Sequence, residues 1–299
     1  MQVLAGVGAA GRVSVAGYVV GGYDSGLLAS ADKIAFPSDT KSVTTSLPAG
    51  NYQHAGMANS GVAGYTGGGA PSVSVNTIYK YAFPADTVTT PSSVLSSART
   101  TLRGMANSGV AGYFGSGNDS GGVSVTVDKM AFPSETMSVT TSLATGRANL
   151  AAFADIGVAG YFGGGSGLSS VEKLAFPSDT RSTTTALDQA RTDLGGFADS
   201  GVAGYFCGGY NGPNLNTVVT YAFPSDTRTA VTATLTSPNT VMGCFADSGV
   251  AGYVAGGYDG GDISRVDKFA FPANTKTTLS ATLTTARRQM AGFADCGVF

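Results

Sequence analysis

Short runs of small, apolar or alternating residues follow one another along the chain, each closed by Gly, Pro, Asn, Asp or Ser. Residues 150–191 show the pattern. LAAFAD is apolar and small and ends in the turn-forming Asp155-Ile156-Gly157. VAGYFGGG follows, then a Gly- and Ser-rich stretch. In VEKLAF, Val171, Lys173 and Ala175 alternate with Glu172, Leu174 and Phe176. Pro177-Ser178-Asp179-Thr180 is a turn, with proline presetting φ and aspartate able to close on the backbone. RSTTTAL is rich in β-branched residues. Period-two runs of this length, bounded by such residues, read as strands, and no segment keeps a helical period. The pattern predicts four short strands joined by turns.

The same order recurs six times. A Gly-Tyr pair places its tyrosine at Tyr18, Tyr65, Tyr113, Tyr161, Tyr205 and Tyr253, and an Ala-Phe-Pro marker falls at Phe36, Phe83, Phe132, Phe176, Phe223 and Phe271. A period in the forties marks an array of supersecondary units. Four strands per unit predict an all-β, six-bladed β-propeller of antiparallel blades, a single domain over 1–299. The units run over about 2–50, 52–99, 103–147, 150–191, 195–239 and 243–287. Gly and Ala dominate the first two strands of each unit, as expected where inner strands crowd an axis. The tyrosine of Gly-Tyr and the Phe of Ala-Phe-Pro are expected to fill the space between blades.

Residues 289–299, QMAGFADCGVF, repeat the first strand and the start of its turn. They are expected to close the ring, with 290–295 pairing with the first unit, because closure removes exposed sheet edges. Residues 3–9 compete for that place. The apolar N-terminal residues have no basic flank and match the repeat, so they read as blade.

Composition narrows the function. Charged residues make up 12% of the chain and the formal net charge is −2, without a Lys/Arg run. That argues against nucleic acid as a partner. No apolar run is long enough for a membrane helix, so membrane insertion is not expected. Low charge density points to an assembly, a homo-oligomer or a larger particle. The three cysteines, Cys207, Cys244 and Cys296, fall at different places in the repeat and read as small buried residues. The one histidine, His54, cannot build a metal triad and reads as structural. The Gly-Gly-Gly runs precede neither Lys-Ser nor a helix, so they are not phosphate loops. No cofactor, metal or catalytic residue is expected.

In an up-and-down blade, loops 1–2 and 3–4 share one face and loops 2–3 and 4–1 the other. The first two are nearly uniform, as in Asn59-Ser60-Gly61 or PSDT, and turn geometry explains them. Loop 2–3 differs in every unit. It carries Tyr23, Asp24, Asn118, Asp119, Tyr210, Asn211, Tyr258, Asp259 and Asp262, the candidate ligand-binding residues. Loops on a rigid scaffold are where binding sits, and Tyr, Asn, Ser and Gly make adaptable recognition surfaces. Arg99, Arg147, Arg191 and Arg287 recur eight residues before the turn Asn or Asp, with Asn51 and Asn239 at that place in the other units. The regular register points to a structural bond to backbone.

The Gly-Gly after the second strand, the apolar position in the third and the Arg after the fourth resemble kelch repeats across nearly the whole chain, without the kelch tryptophan. GYFGGG (160–165), SSVEKLAFPSDT (169–180) and SRVDKFAFPANT (264–275) are similar to repeat proteins encoded by aquatic bacteriophages, including cyanophages. That resemblance implies a virion or tail-fibre component. The expectation is a non-enzymatic propeller, in a virion or extracellular, that recognises a host-surface glycan or a neighbouring virion protein. A lectin-like module of a bacterial surface or secreted protein, and a glycan-active enzyme, are the alternatives.

Overall fold

The computed structural model describes residues 15–295. These form six four-stranded antiparallel sheets arranged as a β-propeller, and no described residue is helical. Blade 4 is typical: Ala151–Asp155 is innermost, followed outward by Ala159–Gly163, Val171–Ala175 and Thr180–Thr184. The two inner strands are wholly buried, the third is partly buried and the fourth faces solvent, which is why the run RSTTT is polar.

Blade 1 joins the two ends of the described chain. Ala291–Ala294 is its inner strand and pairs antiparallel with Ala16–Val20, followed by Ala31–Ala35 and Thr40–Thr44. The ring is therefore closed by the C-terminal strand, as the repeat predicts. Residues 3–9 and Cys296 lie outside the described residues.

The predicted packing between blades is present at every boundary. Each Gly-Tyr tyrosine stacks on the Ala-Phe-Pro ring of the next blade, from Tyr18 on Phe83 at 5.2 Å round to Tyr253 on Phe36 at 5.0 Å. The glycine before each tyrosine makes this possible. A Cβ on Gly204 would run into the ring of Phe153 on the preceding inner strand, and one on Gly160 into Met105. The Phe-Pro bond is cis in all six blades.

A polar clasp overlies each stack. The Tyr113 hydroxyl donates to Asp179 of the next blade at 2.8 Å, and Lys129 and Thr140 donate to the same carboxylate at 2.6 and 2.8 Å. Asp86 and Asp226 receive the same three partners, Tyr18, Lys33 and Thr44 in one case and Tyr161, Lys173 and Thr184 in the other. Where blade 5 carries Thr220 in place of the lysine, the acceptor in blade 6 is Asn274 rather than an acid. Charge is lost from both sides together, as expected if neither half tolerates being unpaired.

The recurring arginines anchor the roots of the 2–3 loops. Arg99, Arg147, Arg191 and Arg287 are fully buried and donate to the carbonyls of Ser116, Gly164, Gly208 and Gly21. Asn51 and Asn239 make the equivalent bonds to Gly68 and Gly256. Three of the arginines also meet buried acids, Asp128, Glu172 and Asp32. Blade 5 has Val219 at that place, and Arg191 pairs instead with Asp188.

Candidate functional site

The face that carries the 2–3 loops is organised by a ring of backbone hydrogen bonds about the axis. Six residues just before the inner strands, Gln53, Thr101, Asn149, Asp193, Val241 and Gln289, have φ between 51° and 58°. The N–H of each donates to the carbonyl of its counterpart in the preceding blade: Thr101 to Gln53, Asn149 to Thr101, Asp193 to Asn149, Val241 to Asp193, Gln289 to Val241 and Gln53 to Gln289. The ring closes on itself, so these main-chain groups are spent on one another and their side chains surround the axial mouth. Below it, a cavity of about 30 Å³ runs down the axis, lined by glycines, Met242, Cys244 and Arg103.

The 2–3 loops are tied to this ring at a common point. The two residues at each root, both glycine except for Ser116 in blade 3, have positive φ; a Cβ on Gly208 or Gly209 would meet a backbone carbonyl at 2.5 or 2.8 Å. The next residue pairs antiparallel with the residue just before the axial ring. Tyr23 thus meets Arg288, Asn118 meets Thr100, Tyr210 meets Thr192 and Tyr258 meets Thr240. Ala70 and Ser166 bond Tyr52 and Ala148 in the same way. The first loop residue is therefore held beside the mouth in every blade. Three consecutive blades place tyrosine there, while the other three place Ala70, Asn118 and Ser166.

The tyrosine side opens into a cleft of about 400 Å³ lined by Asn149, Asp193, Tyr210, Asn214, Thr240, Val241, Tyr258, Arg288 and Gln289. Arg288 is held between the rings of Tyr258 and Tyr23, 5.2 and 5.1 Å from their centroids, and donates to Asp262 at 2.7 Å. Tyr23 in turn packs on Tyr52. Burial pushes the Asp193 carboxyl up, while Arg103 and a bond from Thr192 act against it. Tyr210 is 46% exposed and free to meet a ligand.

The sequence-derived candidates divide on this geometry. Tyr210 and Tyr258 line the cleft, and Tyr23 and Asp262 brace its arginine. Asp24 lies in a short hairpin beyond Tyr23. Asn118 and Asp119 stand on blade 3, outside the cleft lining; Asp119 accepts from Gly121 N within its own loop. Asn211 bonds Gln189, and Asp259 accepts from Ser237, both on the outer slope. Sequence reading missed Asn149, Asp193, Gln289 and Arg288. They belong to the 4–1 connection, and residue type gives no hint of it, since Val241 and Thr101 occupy the same ring positions.

His54 takes the place that Leu102 or Leu150 holds in other blades, and burial lowers its pKa to about 4, with a contact to the Val20 backbone opposing. Cys207 and Cys244 are buried thiols brought together between blades 5 and 6, with Met242 beside them. Volume accounts for Cys207. In blades 2, 3 and 4 a glycine here receives a phenylalanine of the next blade, as Gly163 receives Phe206; in blade 5 Cys207 packs in one cluster with Val254 instead. Among the described residues no group of three or more His, Cys, Asp or Glu is placed to hold a metal ion. No helix among them is long and apolar enough to cross a membrane.

No protein-family model matches the chain, and no curated protein matches it.

Proposed function

We propose that the chain is a non-enzymatic recognition propeller of a phage virion appendage, working outside the host cell. It binds a host-surface glycan or a neighbouring virion protein through the 2–3 loop face. One observation carries the reading. Sequence variation is gathered on a single face of an otherwise uniform ring, and that face holds a preorganised, tyrosine-lined cleft at the axial mouth. Clefts of this volume on rigid scaffolds are where ligands settle. The resemblance to kelch-type and phage-encoded repeats favours the virion setting.

A glycoside hydrolase of the usual kind works with two carboxyl groups flanking one bond. Among the described residues the cleft lining has one carboxyl group, Asp193. Asp119, Asp259 and Asp262 are engaged in bonds to their surroundings. This supports a binding role over a catalytic one.

Whole-cell and glycan-array binding by the purified protein tests the proposal, with residues 208–216 and 256–264 exchanged for the blade 4 loop as control. Binding to host cells or glycans that the exchange abolishes is the expected result for host recognition. Binding to isolated virion proteins that the exchange abolishes supports the docking form. Binding indifferent to the exchange overturns the assignment of the face.

A further inference from the structure

We infer that the axial-mouth cleft takes an uncharged pyranose unit of a glycan, stacked on Tyr210 and Tyr258 and read by the side chains of Asn149, Asp193 and Gln289. The inference rests on the recognition reading above and names the ligand class and residues of that face.

The first argument is from main-chain supply. A bound peptide takes much of its affinity from strand addition to a free edge. Among the described residues the mouth has no such edge. The six ring residues bond one another, and Tyr210 and Tyr258 exchange main-chain bonds with Thr192 and Thr240. Only side chains remain to recognise a ligand.

The second argument is from what those side chains are. Asn149, Gln289 and Asn214 offer planar amides, each with donors and acceptors, and Asp193 offers a pair of acceptor oxygens. Adjacent hydroxyls on a sugar ring present the matching pattern of donor and acceptor on neighbouring atoms. The apolar face of a pyranose, with its axial C–H groups, suits an aromatic ring that is polar at one end. Tyrosines from two consecutive blades supply such rings on the same cleft.

The third argument is from charge. The lining holds one acid and one base. Arg288 is neutralised by Asp262 and fixed between two rings, so its guanidinium is a wall of the cleft more than a free cation. Arg103, half-buried in the axial cavity below, acts on Asp193 from a distance and forms no ion pair with it among the described residues. The cleft lining itself therefore offers no uncompensated positive charge to prefer a carboxylated or sulfated sugar, and its one acid, Asp193, repels such a ligand. The backbone ring also fixes the roots of Asn149, Asp193 and Gln289, so little ordering cost falls on binding.

The experiment is a glycan array carrying neutral, sialylated, uronic-acid and sulfated oligosaccharides, followed by calorimetry with a neutral hit, on the full chain and on Tyr210→Ala, Asp193→Asn and Asn118→Ala. Circular dichroism melts check that each variant is folded. Hits confined to neutral glycans, weakened at least about tenfold by Y210A and by D193N and unchanged by N118A, are expected, because each variant removes a stacked ring or a paired hydrogen bond. Preference for acidic glycans, or neutral binding that ignores both cleft variants, overturns the inference. Host-cell binding that is lost on loop exchange but insensitive to Y210A and D193N leaves recognition standing and removes this cleft as its seat. Binding indifferent to the loop exchange removes both.

Discussion

Single residues in this ring come in interblade sets, and the sets change together. The Tyr113, Lys129, Thr140 and Asp179 clasp makes the point, because blade 5 offers a natural uncharged version in Tyr205, Thr220 and Asn274. Asp179→Asn alone should lower stability by about 1–3 kcal/mol, since it leaves the Lys129 ammonium against a neutral acceptor. Adding Lys129→Thr should recover part of that loss, giving a coupling of about 1 kcal/mol in a double-mutant cycle of urea melts. Additive losses would mean that the clasp does not act as a unit. The clasp also sets a pH dependence. Burial pushes Asp179 and Asp226 up, but the hydrogen bonds from lysine, tyrosine and threonine outweigh it, and both carboxyls lie below their ordinary range. An unfolded aspartate titrates near about 3.9. The stabilisation is therefore complete above that value and is lost as pH falls through the lower folded pKa. Thermal melts between about pH 5 and pH 2 should show Tm falling, and falling less steeply in D179N, which has one such carboxylate fewer.

At the scale of strands, packing between blades follows a rule of shared volume. Gly163 faces Phe206, whereas Cys207 packs in one cluster with Val254, so a small residue with a large one gives way to two of middle size. Val254→Phe alone should overpack the boundary and cost about 1–3 kcal/mol. Cys207→Gly alone should leave a void and cost a similar amount. The double variant restores the pairing of the blade 4 to blade 5 boundary, and calorimetry should find it more stable than the sum of the two losses allows. Much at this scale was legible in the chain. The runs around Tyr161 and Phe176 gave the strands, their order and the aromatic stacks, because alternation and turn chemistry are local. The buried acids at Asp32, Asp128, Glu172 and Asp267 were not foreseen. A carboxylate in an outer strand reads as solvated until the arginine that meets it is placed, and Arg147 lies 25 residues from Glu172. The cleft was half legible for the same reason. Tyr210 and Tyr258 stood out as variable loop residues, but Asp193 and Gln289 reach the mouth through a backbone ring whose bonds run from blade to blade.

For the whole molecule the decisive element is the closing strand. Ala291–Ala294 supplies the inner position of blade 1, Phe293 stacks on Tyr18 at 5.1 Å, and Gln289 completes the axial ring by accepting from Gln53 and donating to Val241. Asp295 accepts from Gly61 N, the bond that Asn107, Asp155 and Asp199 make to their own next blades. Removing residues 289–299 thus breaks pairing, stacking, the axial ring and the Asp295 bond to Gly61 at one boundary. It also exposes the Ala16–Val20 strand as an unpaired edge, a template for association with other chains. The truncated chain should unfold over a broader range and at lower temperature than the full chain, and it should self-associate in light scattering. A synthetic peptide of residues 289–299 added in trans should raise Tm in a concentration-dependent way, because it binds the folded state by strand addition. An unchanged, sharp melt after truncation would show that another segment fills the inner position, and residues 3–9 carry the sequence to do so. The two outcomes also bear on the cleft, since Gln289 and Arg288 sit at its edge beside the closing strand. Truncation deletes Gln289 and removes the strand that follows Arg288, so glycan binding should fall with truncation and return with the 289–299 peptide, in step with the recovery of Tm.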